Sequence, residues 1–134
     1  MVTTYFKNLV ADNVWHTEGA SALPATYYLA MSTTEPQEDG SGVTEPSQSS
    51  GYRRVAISAL SAASNGEVHN TARLAWPKVN SNEGLVGYWA IYDSADHGAG
   101  NLLMGGAFVE SKHLESGTAM LIDINGLTLK VLGA

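Results

Sequence analysis

The apolar positions of this 134-residue chain change period once, from helical spacing near the start to pleated spacing afterwards. Within residues 3–16, Tyr5, Phe6, Leu9, Val10, Val14 and Trp15 recur at intervals of three and four, which gathers them into one stripe along a helix. Thr3 or Thr4 is placed to cap its N-terminus, and Gly19 and Pro24 bar its continuation. A helix of roughly a dozen residues is marginal in isolation. Its stripe must therefore dock, either on the chain's own sheet or on a neighbouring subunit.

Beyond residue 26 the period is two. Tyr27, Leu29 and Met31 alternate with Tyr28, Ala30 and Ser32, as on a pleated strand. A hydrophilic loop spans residues 34–51, and a second strand starts at Tyr52 and runs through Val55 and Ile57. Asn65-Gly66 signals a hairpin turn. Residues 68–76 read as one strand closed by Pro77, which cannot donate to a ladder. Residues 85–93 are apolar on both faces, so this strand is expected to be the most buried. Residues 102–109 form another strand, and their Gly105-Gly106 pair predicts a bulge or a close backbone approach. A polar link over 110–117 leads to a final hairpin, strands 118–124 and 127–132 around Asn125-Gly126.

One helix followed by about seven short strands with turn signals between them, and no βαβ spacing, predicts a mainly β fold. The expected architecture is an antiparallel β-sandwich, jelly-roll-like, with a short N-terminal helix. It is read as a single domain over 1–134, with the helical element at 1–18, the sandwich at 26–134 and the acidic loop at 34–51.

Composition narrows the class. The chain is 44% hydrophobic, enough for a real core, while only 15% of residues are charged. Its net charge is −6, and the seven Lys and Arg residues are scattered. Nucleic-acid binding, which draws its affinity from basic side chains releasing phosphate counterions, is not expected. Cysteine is absent, which excludes disulfides and thiolate metal sites. No apolar run approaches the length of a membrane span and no secretory signal pattern opens the chain, so neither membrane insertion nor signal-dependent export is expected.

Little in the pattern points to catalysis. His16, His69, His97 and His113 lie in separate segments without the pairing a metal site on one element would need. No G-x-S-x-G elbow is present. Asp93 with Asp96, and Glu38 with Asp39, sit among turn residues with no apolar shell to tune a proton transfer. The loop acids Glu35, Glu38, Asp39 and Glu45 are hard oxygen donors of the kind Ca²⁺ takes, but their spacing is not that of an EF-hand. No catalytic residue, metal or cofactor is expected, and these four acids are read instead as candidate partner contacts. Tyr27, Tyr28, Tyr52, Tyr88, Trp89 and Tyr92 have the aromatic faces that suit sugar rings. All six fall in predicted strands, however, where core or subunit interface is the commoner place.

Several segments, taken in order, resemble a family of small phage tail fibre proteins. They are YLAMSTTEP at 28–36, TEP at 44–46, GYRRVAI at 51–57, Asn70, LAWPKV at 74–79, GYWAIYDS at 87–94, GNLLMGGAF at 100–108 and NGLTLKVL at 125–132. The likeness covers nearly the whole chain and departs from the family's usual residues at Arg53 and Trp76. It implies a non-enzymatic structural protein of the virion, assembled in the bacterial host cytoplasm. The expected state is a symmetric oligomer, a homotrimer, that contacts other virion proteins. The helical stripe Tyr5, Phe6, Leu9, Val10, Val14 and Trp15 is then the candidate oligomer or attachment interface. Two other readings remain open: a module binding host-surface glycan, and a capsid decoration or head-fibre protein.

Overall fold

The computed structural model describes residues 1–130. Helix α1 (Thr4–Trp15) is followed by strands β1 (Tyr27–Ser32), β2 (Val55–Ile57), β3 (Glu67–His69), β4 (Leu74–Ala75), β5 (Gly84–Tyr92), β6 (Leu102–Leu114), β7 (Leu121–Ile122) and β8 (Thr128–Lys130). The fold is an antiparallel β-sandwich with one short helix, as the periodicities predict.

One layer is a four-stranded sheet in the order β2-β1-β5-β6. Its inner face carries Leu29, Met31, Val86, Ile91 and Met104, all in the main core. The opposing layer is built from β3 paired with β8 and β4 paired with β7. Those two ladders lie on one interrupted antiparallel ribbon. Backbone bonds from Asn70 N to Leu127 O (3.3 Å), Trp76 N to Met120 O (3.0 Å) and Val79 N to Thr118 O (3.0 Å) extend the pairing beyond each. Trp76 joins the layers, because its indole N–H donates to the Leu29 carbonyl at 3.1 Å inside the core.

Three strand expectations need correction. Residues 68–76 do not form one strand: the ribbon breaks after His69 because Asn70 turns inward to bond the facing segment. The predicted closing hairpin does not pair with itself. Gly126 N–H donates to Asp123 O at 2.9 Å in a tight turn, but β7 pairs with β4 and β8 with β3. Its last residues, 131 and 132, lie outside the described range. Nor are residues 110–117 merely a link, since β6 runs on to Leu114 and pairs Lys112 with Val86. The polar sequence misleads there because that part of β6 is exposed.

Burial also redistributes. β5 is central, yet Leu85 is 48% exposed, while Leu29, Ala30, Met31 and Ser32 of β1 are all at 0%. β1 is therefore the more completely enclosed strand. Its outer side is covered because Ala30, Ala90 and Gly105 form a row of minimal side chains across three strands. Pro36 and Met1 rest on that row: a Cβ on Gly105 would meet Pro36 Cβ at 2.8 Å and Met1 Cε at 3.2 Å. The close approach predicted for Gly105-Gly106 is thus met on both faces, since a Cβ on Gly106 would strike the Trp89 indole at 2.6 Å.

The helix is not a free appendage. Residues 1–3 run beside β6, with Thr3 N bonded to Leu103 O (2.9 Å) and Met1 and Gly105 exchanging two bonds. The Thr3 hydroxyl caps the helix at Phe6 N (3.2 Å) and also donates to Leu102 O at 2.7 Å. Val2, Phe6 and Leu9 join the main core, and Phe6 meets Tyr27 edge-on at 6.2 Å between centroids.

Candidate interaction surfaces

The residues of the helical stripe separate according to what they touch. Phe6 and Leu9 face the chain's own sheet, and Val10 packs half-buried beside them. Tyr5, Val14 and Trp15 point outward, and Trp15 is 86% exposed. Leu23, also exposed, follows on the segment that turns back from the helix. This return is fixed by Asn13, whose amide donates to Leu9 O and Ser21 O, both at 2.8 Å. The stripe spans eleven residues, from Tyr5 to Trp15, and at about 100° per residue its last members turn away from the face that sets Phe6 and Leu9 against the sheet. The apolar end of α1 therefore lies open to solvent.

A second surface lies at the seam between the two layers. Between Val86 and Tyr88 the β5–β6 register shifts, because residues 108–111 bulge outward opposite Gly87. Phe108 turns in to meet Trp76 edge-on at 5.9 Å, leaving Val109 98% exposed. Beside the bulge runs a cleft of about 490 Å³ lined by Trp89, Phe108, Lys112, Leu121 and Ile122.

The acidic loop is folded back over the sheet. Thr33 N bonds Thr44 O at 3.0 Å, Thr44 N bonds the Ser32 hydroxyl at 2.8 Å, and Glu38 O accepts from Thr4 N at 3.0 Å. Glu35, Glu38 and Asp39 are exposed. Glu38 lies 4.0 Å from Lys7, and hydrogen bonds from the Ser41 side chain and backbone hold Asp39 below the usual carboxylate range. Glu45 differs: only 4% of its side chain is exposed. It accepts from Arg54 Nε and Nη2, both at 2.9 Å, from the Tyr52 hydroxyl at 2.7 Å and from Gly98 N at 2.9 Å. Burial pushes its carboxyl up, but the hydrogen bonds and charge of Arg54, with those of Tyr52 and Gly98, outweigh that and hold it low. Burial, and then the neighbouring Glu45 charge, push the Tyr52 phenol far up. Arg54 is satisfied on its other side by Ser94 O and Ala99 O and lies 3.9 Å above the Tyr92 ring.

Sequence reasoning missed this ion pair. The available signal was Arg54 itself, a charge on a strand entry between apolar positions, with one acid of the loop near in sequence.

The aromatic residues do not make one platform. Tyr52 is 1% and Tyr92 8% exposed, and Tyr52 precedes β2 rather than lying in it. Tyr28, Tyr88 and Tyr92 share the outer face of the sheet, whereas Trp89 is on the inner face opposite Met31 and packs half-buried against the core. Among the described residues no group of three or more His, Asp or Glu is placed to hold a metal, and no helix is long and apolar enough to cross a membrane.

The fold is a β-sandwich whose loops are bonded to the sheet and which leaves apolar patches exposed, and such a fold alone assigns no role. The family comparison is more specific: the model described as podophage GP4 fiber I protein gp80 matches residues 1–130, and the chain belongs to that family of phage fibre proteins. A search of curated proteins returns no match.

Proposed function

We propose that the protein is a non-enzymatic structural subunit of a phage fibre, acting in the virion through contacts with its own copies and with other virion proteins. Family membership supports the fibre role. The observation that carries self-association is the apolar C-terminal end of α1, with Trp15 86% and Val14 57% exposed. Solvent contact at such a patch is unfavourable, and a neighbouring subunit removes it. A helix lying outside a small β module suits packing about a cyclic axis, and our reading is a homotrimer. The exposed acids Glu35, Glu38 and Asp39 are then contacts at the rim, where charge steers association more than it adds affinity.

Sedimentation equilibrium of the wild type and of Trp15→Ser tests this. The expected result is a trimer for the wild type and monomers for the variant, with unchanged circular dichroism. A monomeric wild type, or a Trp15→Ser protein that assembles as the wild type does, overturns the reading.

A further inference from the structure

The loops over residues 34–51 and 93–101 are far apart in sequence, yet they meet on one buried ion pair. Glu45 belongs to the first loop, and Arg54 follows its end. The second loop supplies the Ser94 and Ala99 carbonyls, which accept from Arg54 Nη1 at 2.7 and 2.8 Å, and the Gly98 N–H, which donates to Glu45 at 2.9 Å. His97 adds a bond from Nε2 to the Pro46 carbonyl at 2.8 Å and meets Tyr52 edge-on at 5.9 Å. Each loop has separate bonds of its own. Gln37 N donates to Ser41 O at 2.8 Å in the first, and Asp93 accepts from Asn101 N and Nδ2 at 2.7 and 3.0 Å in the second.

We propose that the Glu45–Arg54 pair is a latch that makes these two loops one cooperative unit, so that neither opens without the other. The reason is electrostatic. The Arg54 side chain is fully enclosed and that of Glu45 nearly so, and a charge left there without its partner is strongly unfavourable. Lifting the first loop withdraws Glu45 and strands Arg54. Lifting the second removes two acceptors from Arg54 and one donor from Glu45. Such a coupling is reciprocal by thermodynamic necessity. Its consequence is that one end of the molecule, formed by two long connections, is presented to a partner as a single preorganised surface.

Amide hydrogen exchange in a double-mutant cycle tests the latch. Asp93→Asn weakens the second loop without touching the ion pair. In the wild-type background it should speed exchange at Asn101 and also, by about tenfold, at Gln37 and Thr44 in the first loop. In a Glu45→Gln background the response at Gln37 and Thr44 should shrink severalfold, with the His97–Pro46 bond left as a weaker link between the loops. If Gln37 and Thr44 fail to respond in the wild type, or respond equally with Glu45→Gln present, the proposal is overturned. Should Glu45→Gln not fold, Glu45→Leu combined with Arg54→Met takes its place in the cycle, since removing both charges abolishes the latch without stranding either one.

Discussion

The Asn70 side-chain carbonyl accepts the backbone N–H of Leu127 at 2.9 Å, closing a span of 57 residues inside the protein. The same amide donates to Ala72 O at 2.9 Å and Asp123 O at 2.8 Å, and Asn70 is 0% exposed. The gap between the β3–β8 and β4–β7 ladders would otherwise contain buried backbone groups without partners.

Asn70→Ala should therefore lower stability by about 2–4 kcal/mol, since each orphaned buried group costs on the order of 1–3 kcal/mol. Asn70→Asp should be nearly as damaging, because a carboxylate accepts from Leu127 but cannot donate to the two carbonyls. Urea unfolding of both variants checks this, and a wild-type midpoint for Asn70→Asp would contradict it.

Glu45→Gln removes one charge of a buried pair and should destabilise the protein by about 3 kcal/mol near neutral pH. The pH dependence has a definite sign. Because the folded carboxyl is held below its ordinary value of 4.5, its contribution is complete above that value. It fades as pH falls through the folded value. The stability gap between wild type and Glu45→Gln should thus narrow on acidification, as urea midpoints from about pH 7 to about pH 3 would show.

Gly106→Ala should disturb the Trp89 indole, which lies 2.6 Å from the new methyl position. A loss of about 1–3 kcal/mol is expected from the overpacking, together with a shift in tryptophan fluorescence. Gly105→Ala points to the opposite face, against Pro36 and Met1. It should leave the fluorescence unchanged while loosening the loop over residues 34–51, which limited proteolysis would detect.

Phe6→Ala and Trp15→Ala should separate the two sides of α1. Phe6 is 4% exposed and in the core, so its truncation should cost about 3–5 kcal/mol. Trp15→Ala should change monomer stability by no more than about 0.5 kcal/mol while weakening assembly. Thermal melts and sedimentation distinguish the two, and equal effects on stability would refute the division.

What the sequence determined by itself is local. Apolar residues at helical spacing after Thr3 produce α1, a short apolar run of large and small side chains at 27–32 produces β1, and Asn65-Gly66 produces its turn, with Asn65 at φ 54° and Gly66 at 77°. Those signals act over a few residues, so a linear reading captures them. The tertiary structure decided which strands pair, because Asn125-Gly126 encodes a turn but not the partners of the strands it joins. It also decided which stripe residues face inward, since a helix's burial depends on the sheet it meets. Glu45 looks like any other acid of its loop until Arg54 and Gly98 are brought within 2.9 Å of it. A charge's environment is set by neighbours distant in sequence, and only the folded chain supplies them.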